Sequence, residues 1–122
     1  MATSLSIAAS RVKVKGSGES IKFGWDFTKL LRTGESLNGT PTVVCTAFSG
    51  TGGATADLTI ASVAVNTAAF DNDEGGSVAI GDGIQARITG GVAGVDYTLR
   101  CRAPTDESDT RDLYCTLQVR DS

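Results

Sequence analysis

The sequence of 122 residues contains no histidine, and this absence narrows the chemistry open to the protein. Histidine is the commonest general base, it completes the serine–histidine triad, and it is a frequent ligand of metal sites. No other nucleophile and base can be named as a pair. The sequence therefore predicts a protein that is not an enzyme and holds neither a metal nor a cofactor.

A surplus of positive charge is missing as well. The 11 lysines and arginines are outnumbered by 14 aspartates and glutamates, which gives a net charge of -3. Nucleic-acid-binding domains usually concentrate basic residues on one face, so nucleic acid is not an expected partner. No apolar run reaches the ~20 residues of a membrane-spanning helix, and residues 1–10 lack the pattern of a secretory signal. We expect a protein made in a cytoplasm, with no membrane partner.

Cysteine and proline are scarce. The three cysteines, Cys45, Cys101 and Cys115, are far apart and odd in number, which favours reduced, buried thiols over disulfides or a zinc site. Two prolines stand against 15 glycines, a composition typical of short strands joined by turns. We divide the chain into an N-terminal arm, residues 1–10, and one β domain, residues 11–122. The arm carries Leu5 and Ile7 as candidate partner-binding residues and is expected to order only on a partner.

Alternation of apolar and polar residues predicts the strands. The strongest pattern puts four apolar side chains on one face: Ile21, Phe23, Trp25 and Phe27. Residues 11–15 predict an edge strand with Val12 and Val14 facing the core and three cations facing outward. Further predicted strands are residues 42–47 with Val43, Cys45 and Ala47 aligned, residues 77–80, and residues 84–88. Residues 58–65 predict another strand, which either carries a bulge near Ile60, the favoured interpretation, or is buried on both faces.

The last two strands are predicted to form an antiparallel hairpin around a polar loop, residues 104–110. With Cys101 opposite Cys115, Leu99 would face Leu117 and Tyr97 would face Val119. Tyr97 follows a glycine-rich bend, residues 90–94, as does the buried tyrosine that pins neighbouring loops in immunoglobulin-like sandwiches. These patterns predict an all-β, immunoglobulin-like antiparallel β-sandwich of about seven to eight strands.

Candidate binding residues come from the polar faces. Trp25 is expected in the core, so the aromatic residues left as candidates for binding are Phe48, Phe70 and Tyr114. Of these, Tyr114 is the best candidate, because its position in the last strand predicts that its side chain faces outward. Three acidic residues of the hairpin loop, Asp106, Glu107 and Asp109, are candidates for contact with a basic partner, although such loops are often simply solvated. Residues 71–75 are similar to the start of a calcium loop, but no bidentate glutamate follows, so a solvated turn is expected.

Several short segments together resemble a known family. They are residues 23–27 (FGWDF), Leu30-Leu31, residues 34–37 (GESL), residues 90–99 (GGVAGVDYTL) and residues 110–112 (TRD) before the last strand. In this combination, residues 19–119 resemble the small immunoglobulin-like fibre-tail adaptor, or tail-associated, proteins of tailed bacteriophages. The sequence departs from these in the order of Trp25 and Asp26 and in its three cysteines.

The resemblance implies a structural virion protein that is assembled in the cytoplasm of the host bacterium and is present in several symmetric copies. Its partners would be other virion proteins: the portal, the head-to-tail connector, the tail or the fibres. No catalytic residue is implied. Two alternatives stay open, namely a capsid decoration protein, which copy number per particle would distinguish, and a carbohydrate-binding module that uses Tyr114.

Overall fold

Strands dominate the part of the chain that the computed structural model describes, residues 12–72 and 75–121. In chain order they are β1 (Val12–Lys15), β2 (Ser20–Asp26), β3 (Thr42–Ser49), β4 (Leu58–Val65), β5 (Phe70–Asp71), β6 (Ser77–Val78), β7 (Gly83–Gly90), β8 (Asp96–Pro104) and β9 (Thr110–Val119). Two 3-10 turns, Thr28–Leu30 and Thr55–Asp57, lie between them. The predicted arm lies outside the described residues, so its boundary stays a prediction.

Two sheets pack face to face. One has the strand order β1-β9-β8-β3 and the other β2-β7-β4, and a small β5-β6 hairpin adds to them. All pairings are antiparallel except that of β1 with β9, which is parallel. A single apolar core contains residues from both sheets, which confirms the predicted all-β sandwich.

Many of the core residues are those that the alternation pattern predicts, although Ile21 and Phe23 are only half-buried. Trp25 and Tyr97 are 2% and 0% exposed, and Phe27, Ile84 and Leu117 are buried with them. The indole Nε1 of Trp25 donates a hydrogen bond to Cys115 Sγ at 3.1 Å, so even the polar atom of the largest side chain has a partner inside. None of the three cysteines forms a disulfide; Cys101 and Cys115 are buried and Cys45 is half-buried.

Tyr97 pins two loops to the end of the sandwich. Its hydroxyl accepts a hydrogen bond from Val92 N at 2.9 Å and donates one to Asp57 Oδ2 at 2.8 Å. Burial is the main cause that raises the pKa of the Tyr97 hydroxyl. A tyrosine at this corner that bonds to backbone a few residues upstream is typical of immunoglobulin-like sandwiches. The assignment to that fold family stays a prediction, which this corner supports.

The edge strand β1 corrects one expectation. The predicted inward residues Val12 and Val14 are 44% and 54% exposed, whereas Lys13 and Lys15 are buried. Parallel pairing sets Lys15 beside the core residue Val119, and its Nζ donates to Gly16 O at 2.6 Å and to Gly90 O at 2.5 Å. The lysine stem thus covers the edge of the core while the ammonium finds backbone acceptors.

The hairpin of β8 and β9 is present, but its pairing register differs from the predicted one. Leu99, not Cys101, lies opposite Cys115, and Cys101 lies opposite Leu113, a shift of two residues from the predicted register. The loop is tighter than expected, because Thr105 N donates to Asp109 O at 2.8 Å and closes it. A shift of two leaves every side chain on its predicted face, since the strand period is two.

Bulges account for the remaining differences. The predicted irregularity in β4 is confirmed between Ala61 and Ala64, where Ser62 has a φ of 56°. A second, unpredicted bulge lies in β3 between Cys45 and Ala47, so Ala47 leaves the face of Val43 and is exposed. The strand predicted at residues 77–80 ends at Val78.

Candidate partner-binding surface

Most of the large exposed apolar residues lie on one face of the molecule, the outer face of the β1-β9-β8-β3 sheet. Val12 and Val14 lie on it because the valine side of β1, and not the lysine side, faces solvent. Tyr114 and Val44 lie on the strands at either side of Arg100. We define the Tyr114 face as Val12, Val14, Val44, Arg100 and Tyr114. Its exposed side chains confirm the predicted outward parity of Tyr114, which is 49% exposed.

Arg100 occupies the middle of this face without an ion pair in the part of the chain that the structure describes. Its Nε atom is buried and has no hydrogen-bond partner. Two other arginines on the same sheet do have carboxylate partners: Arg102 binds Asp112 at 2.6 and 2.8 Å, and Arg120 binds Asp96 at 2.6 Å. Hydrogen bonds from Arg102 hold the pKa of Asp112 below its usual value. The face therefore offers, among apolar groups, one guanidinium that has no direct ion pair in the described residues and interacts with Asp112 only at longer range.

Tyrosine and arginine are enriched in the hot spots of protein–protein interfaces, and on this face both are surrounded by aliphatic side chains. A flat sheet face with a central guanidinium can bury the tyrosine ring and pair with a carboxylate of a partner at the same time. Phe48, another aromatic left over from the predicted core, is also exposed. Phe70, by contrast, packs against β2 and β7, where added Cβ atoms on Gly24 and Gly83 would meet its ring at 2.5 and 2.8 Å.

The acidic hairpin loop is used largely within the molecule. Asp106 Oδ1 accepts a hydrogen bond from Ser36 N at 3.1 Å, and Asp109 pairs with Arg32 at 2.8 Å. Glu107 is exposed and its side chain has no ion pair among the described residues. Of the three acidic candidates, Glu107 alone is thus left facing solvent without an internal ion pair or hydrogen bond.

Glu35 anchors this loop, and sequence reasoning assigned it no role. Its side chain is fully buried; it accepts hydrogen bonds from Arg32 N at 2.9 Å and Thr105 Oγ1 at 2.8 Å, and Arg111 Nη2 lies 3.1 Å away. The hydrogen bond from the Arg32 backbone is the largest cause that lowers the pKa of Glu35 to about 2. A glutamate after glycine in a turn gives no pattern that would predict such burial.

The remaining sequence predictions concern the arm and the acidic turn. Leu5 and Ile7 lie outside the described residues. In the turn, the Asn72 amide donates to Asp26 Oδ2 at 3.0 Å and its Oδ1 accepts from Gly76 N at 2.8 Å, while residues 73 and 74 are not described, so the solvated turn stays a prediction. Across residues 12–72 and 75–121, no group of three or more potential metal-binding side chains comes together. In the same part of the chain, no helix has the length and apolar character needed to span a membrane.

The chain matches a family model of known proteins. The family model described as "Podophage GP4 fiber-tail adaptor protein gp77" matches residues 15–118, which is most of the chain and nearly the whole described sandwich. No curated protein and no solved structure matches the chain significantly. The resemblance drawn from residues 19–119 is therefore confirmed at the level of the family, and the chain belongs to the podophage GP4 fibre-tail adaptor family.

Proposed function

We propose that this protein is a structural adaptor in the tail of a phage particle, and that it binds a neighbouring virion protein through the Tyr114 face. Membership of the fibre-tail adaptor family supports the role of the chain, and its name points to tail and fibre proteins as partners. The observation that carries the choice of surface is the exposure of Val12, Val14 and Tyr114 on one sheet around Arg100.

The apolar side chains and the guanidinium of this face favour a protein partner. Exposed apolar side chains gathered on a rigid sheet lower the free energy when a partner removes them from water, by about 25 cal/mol for each Å² of apolar surface. Arg100 favours negative charge on the partner, since a purely apolar surface would remove water from its half-buried guanidinium without offering an acceptor. The partner surface should therefore present a carboxylate among apolar groups.

The arm, residues 1–10, would add a second contact. It directly precedes β1, whose exposed valines belong to the Tyr114 face, so a partner on this face could also receive Leu5 and Ile7. A segment that orders on binding makes assembly depend on the partner. In this proposal several symmetric copies surround the tail or the head-to-tail connector, and assembly takes place in the host cytoplasm.

Incorporation into particles tests the proposal. Phage carrying Tyr114→Ala would be purified and the amount of this protein per particle measured by quantitative mass spectrometry. Ile80→Ala is the matched control, because Ile80 is an exposed apolar residue away from the face. We expect Tyr114→Ala to lower incorporation while Ile80→Ala does not. Equal incorporation of both would contradict the choice of face, and hundreds of copies per wild-type particle would favour a capsid decoration protein instead.

A deletion of residues 1–10 tests the arm separately. The shortened chain should fold with an unchanged melting temperature but enter particles poorly. Normal incorporation would show that the arm is not a binding element.

A further inference from the structure

A second surface, on the opposite sheet, has a different character. The outer face of β2-β7-β4 holds an open groove of about 320 Å³, which we name the Lys22 groove. Its polar lining comes from Lys22, Ser62, Thr67, Gln85 and Arg87, and its apolar lining from the end of β4. No aspartate or glutamate lines it among the described residues.

Two cations face each other in this groove. Lys22 and Arg87 are direct partners in the register of β2 and β7, so their side chains leave the sheet side by side on the same face. Like charges directly opposite each other are unfavourable in a sheet. The salt bridges of residues 12–72 and 75–121 include neither residue, so within this part of the chain no carboxylate forms an ion pair with Lys22 or Arg87. In a chain with a net charge of -3, this is a local excess of positive charge.

The arrangement of donors around the pair is suited to an anion. Arg87 makes its hydrogen bonds through Nη1, to Ser20 O at 3.0 Å and Ser20 Oγ at 3.4 Å, which orient the guanidinium and leave its other N–H groups for a ligand. Ser62 sits at the bulge of β4 with a φ of 56°, a rarely used backbone conformation for serine. Bulges of this kind re-aim a side chain, and here the bulged residue contributes to the lining of the groove.

We propose that the Lys22 groove binds a carboxylate-bearing segment of a neighbouring protein, a stretch that contains aspartate or glutamate. An arginine fork beside a lysine ammonium matches a carboxylate, and the apolar end of β4 matches the methylenes of an acidic side chain. Two cations are too few for a nucleic-acid backbone, whose binding depends on many phosphate contacts. The identity of the ligand as a protein segment depends on the adaptor role; the anion site itself does not.

Nuclear magnetic resonance on the full chain tests this inference. The ¹⁵N-labelled protein would be titrated with a blocked hexaglutamate peptide, with hexaglutamine as the uncharged comparison and inorganic phosphate as a free anion. We expect hexaglutamate alone to give saturable amide shifts, centred on Lys22, Gln85 and Arg87 and reduced by added salt. Shifts elsewhere only, or equal shifts with hexaglutamine, would overturn the site. Binding of phosphate as tight as that of hexaglutamate would overturn the peptide as its ligand.

Single substitutions make the test specific. Lys22→Gln removes one cation of the groove at an exposed position, and Lys29→Gln removes one exposed cation elsewhere. Loss of a single exposed ion pair should weaken hexaglutamate binding about fivefold for Lys22→Gln and leave it unchanged for Lys29→Gln. Equal effects of the two would contradict the inference. The titration uses no phage particle, so its failure is separate from a failure of the incorporation experiment.

Discussion

The hydroxyl of Tyr97 donates a hydrogen bond of 2.8 Å to the carboxylate of Asp57, forty residues away in the chain. Asp57 Oδ2 also accepts from Ala54 N at 2.8 Å, and the same tyrosine oxygen accepts from Val92 N. This one contact joins the turn before β4 to the bend before β8. It fixes one end of the sandwich and so supports the sheets that carry both proposed surfaces.

Replacing Tyr97 by phenylalanine should therefore destabilise the fold. The substitution keeps the buried ring but leaves Val92 N–H and one acceptor site of Asp57 without their partner, which costs about 1–3 kcal/mol of the free energy of unfolding. Urea unfolding followed by Trp25 fluorescence measures the change. Tyr114→Phe is the control, since the exposed hydroxyl of Tyr114 has no such role and its loss should change stability by less than about 0.5 kcal/mol. Equal changes in the two variants would contradict this account of the corner.

Glu35 should give the protein a stability that depends on acid pH. Its pKa in the folded chain is about 2, below the ordinary value of 4.5. A lowered pKa means that the ionised carboxylate stabilises the fold above pH 4.5, and that this contribution is lost as the pH falls from 4.5 towards 2. Urea unfolding of wild type and Glu35→Gln across this range should show the two curves converging at low pH. Glu107→Gln, a change at an exposed position, should run parallel to wild type; parallel curves for Glu35→Gln would refute the assignment.

In the edge strand β1 the lysines are buried and the valines are exposed, the reverse of the usual arrangement. Lys15→Met keeps the covering stem but removes the donor to Gly16 O and Gly90 O, so we expect a loss of about 1–3 kcal/mol in the free energy of unfolding. Val14→Ser, at an exposed position, should change it by less than about 0.5 kcal/mol. Chemical denaturation of both variants measures these changes in the free energy of unfolding and shows whether the lysines or the valines of β1 are buried. If Val14→Ser proved the more damaging change, the valines would be the buried residues.

Gly24 is required by the close approach of Phe70. A Cβ at this position would lie 2.5 Å from the Phe70 ring, so Gly24→Ala should displace the β5-β6 hairpin and cost about 1–3 kcal/mol. Gly18→Ala is the control, because no atom beyond its two chain neighbours lies within 4 Å of the added carbon. Thermal unfolding of both variants and of Gly24→Ala combined with Phe70→Ala gives the test. The destabilisation caused by Gly24→Ala should be much smaller when Phe70 is alanine than when the Phe70 ring is present. The same destabilisation in both backgrounds would exclude the Phe70 ring as its cause.

Local alternation predicted the parts of the fold that depend only on the strand period. The faces of β2 and β7 follow from residues such as Trp25 and Ile88, and the exposure of Tyr114 follows from the parity of β9. Alternation does not say which face of an edge strand is covered, so the prediction that Val12 and Val14 face the core is wrong. The hairpin register depended on the closure of a loop by Thr105, which no pattern of apolar residues encodes.

The parts that escaped prediction are polar groups whose partners come from distant segments. Asn66 is buried because Ala68 O and Ala79 O accept from its amide while Gly81 N and Gly83 N donate to it. Two charged groups of the Lys22 groove, Lys22 and Arg87, meet only through the pairing of β2 with β7. The sequence shows each of these residues as an ordinary surface residue, and its role follows only from the tertiary structure.

Cryo-electron microscopy of the intact particle tests the central claim most directly, because it shows what covers each face of the sandwich. The adaptor account predicts this protein in the tail region, with Val12, Val14 and Tyr114 buried against another virion protein and a carboxylate beside Arg100. A map in which the Tyr114 face is open to solvent and the contacts lie elsewhere would contradict it.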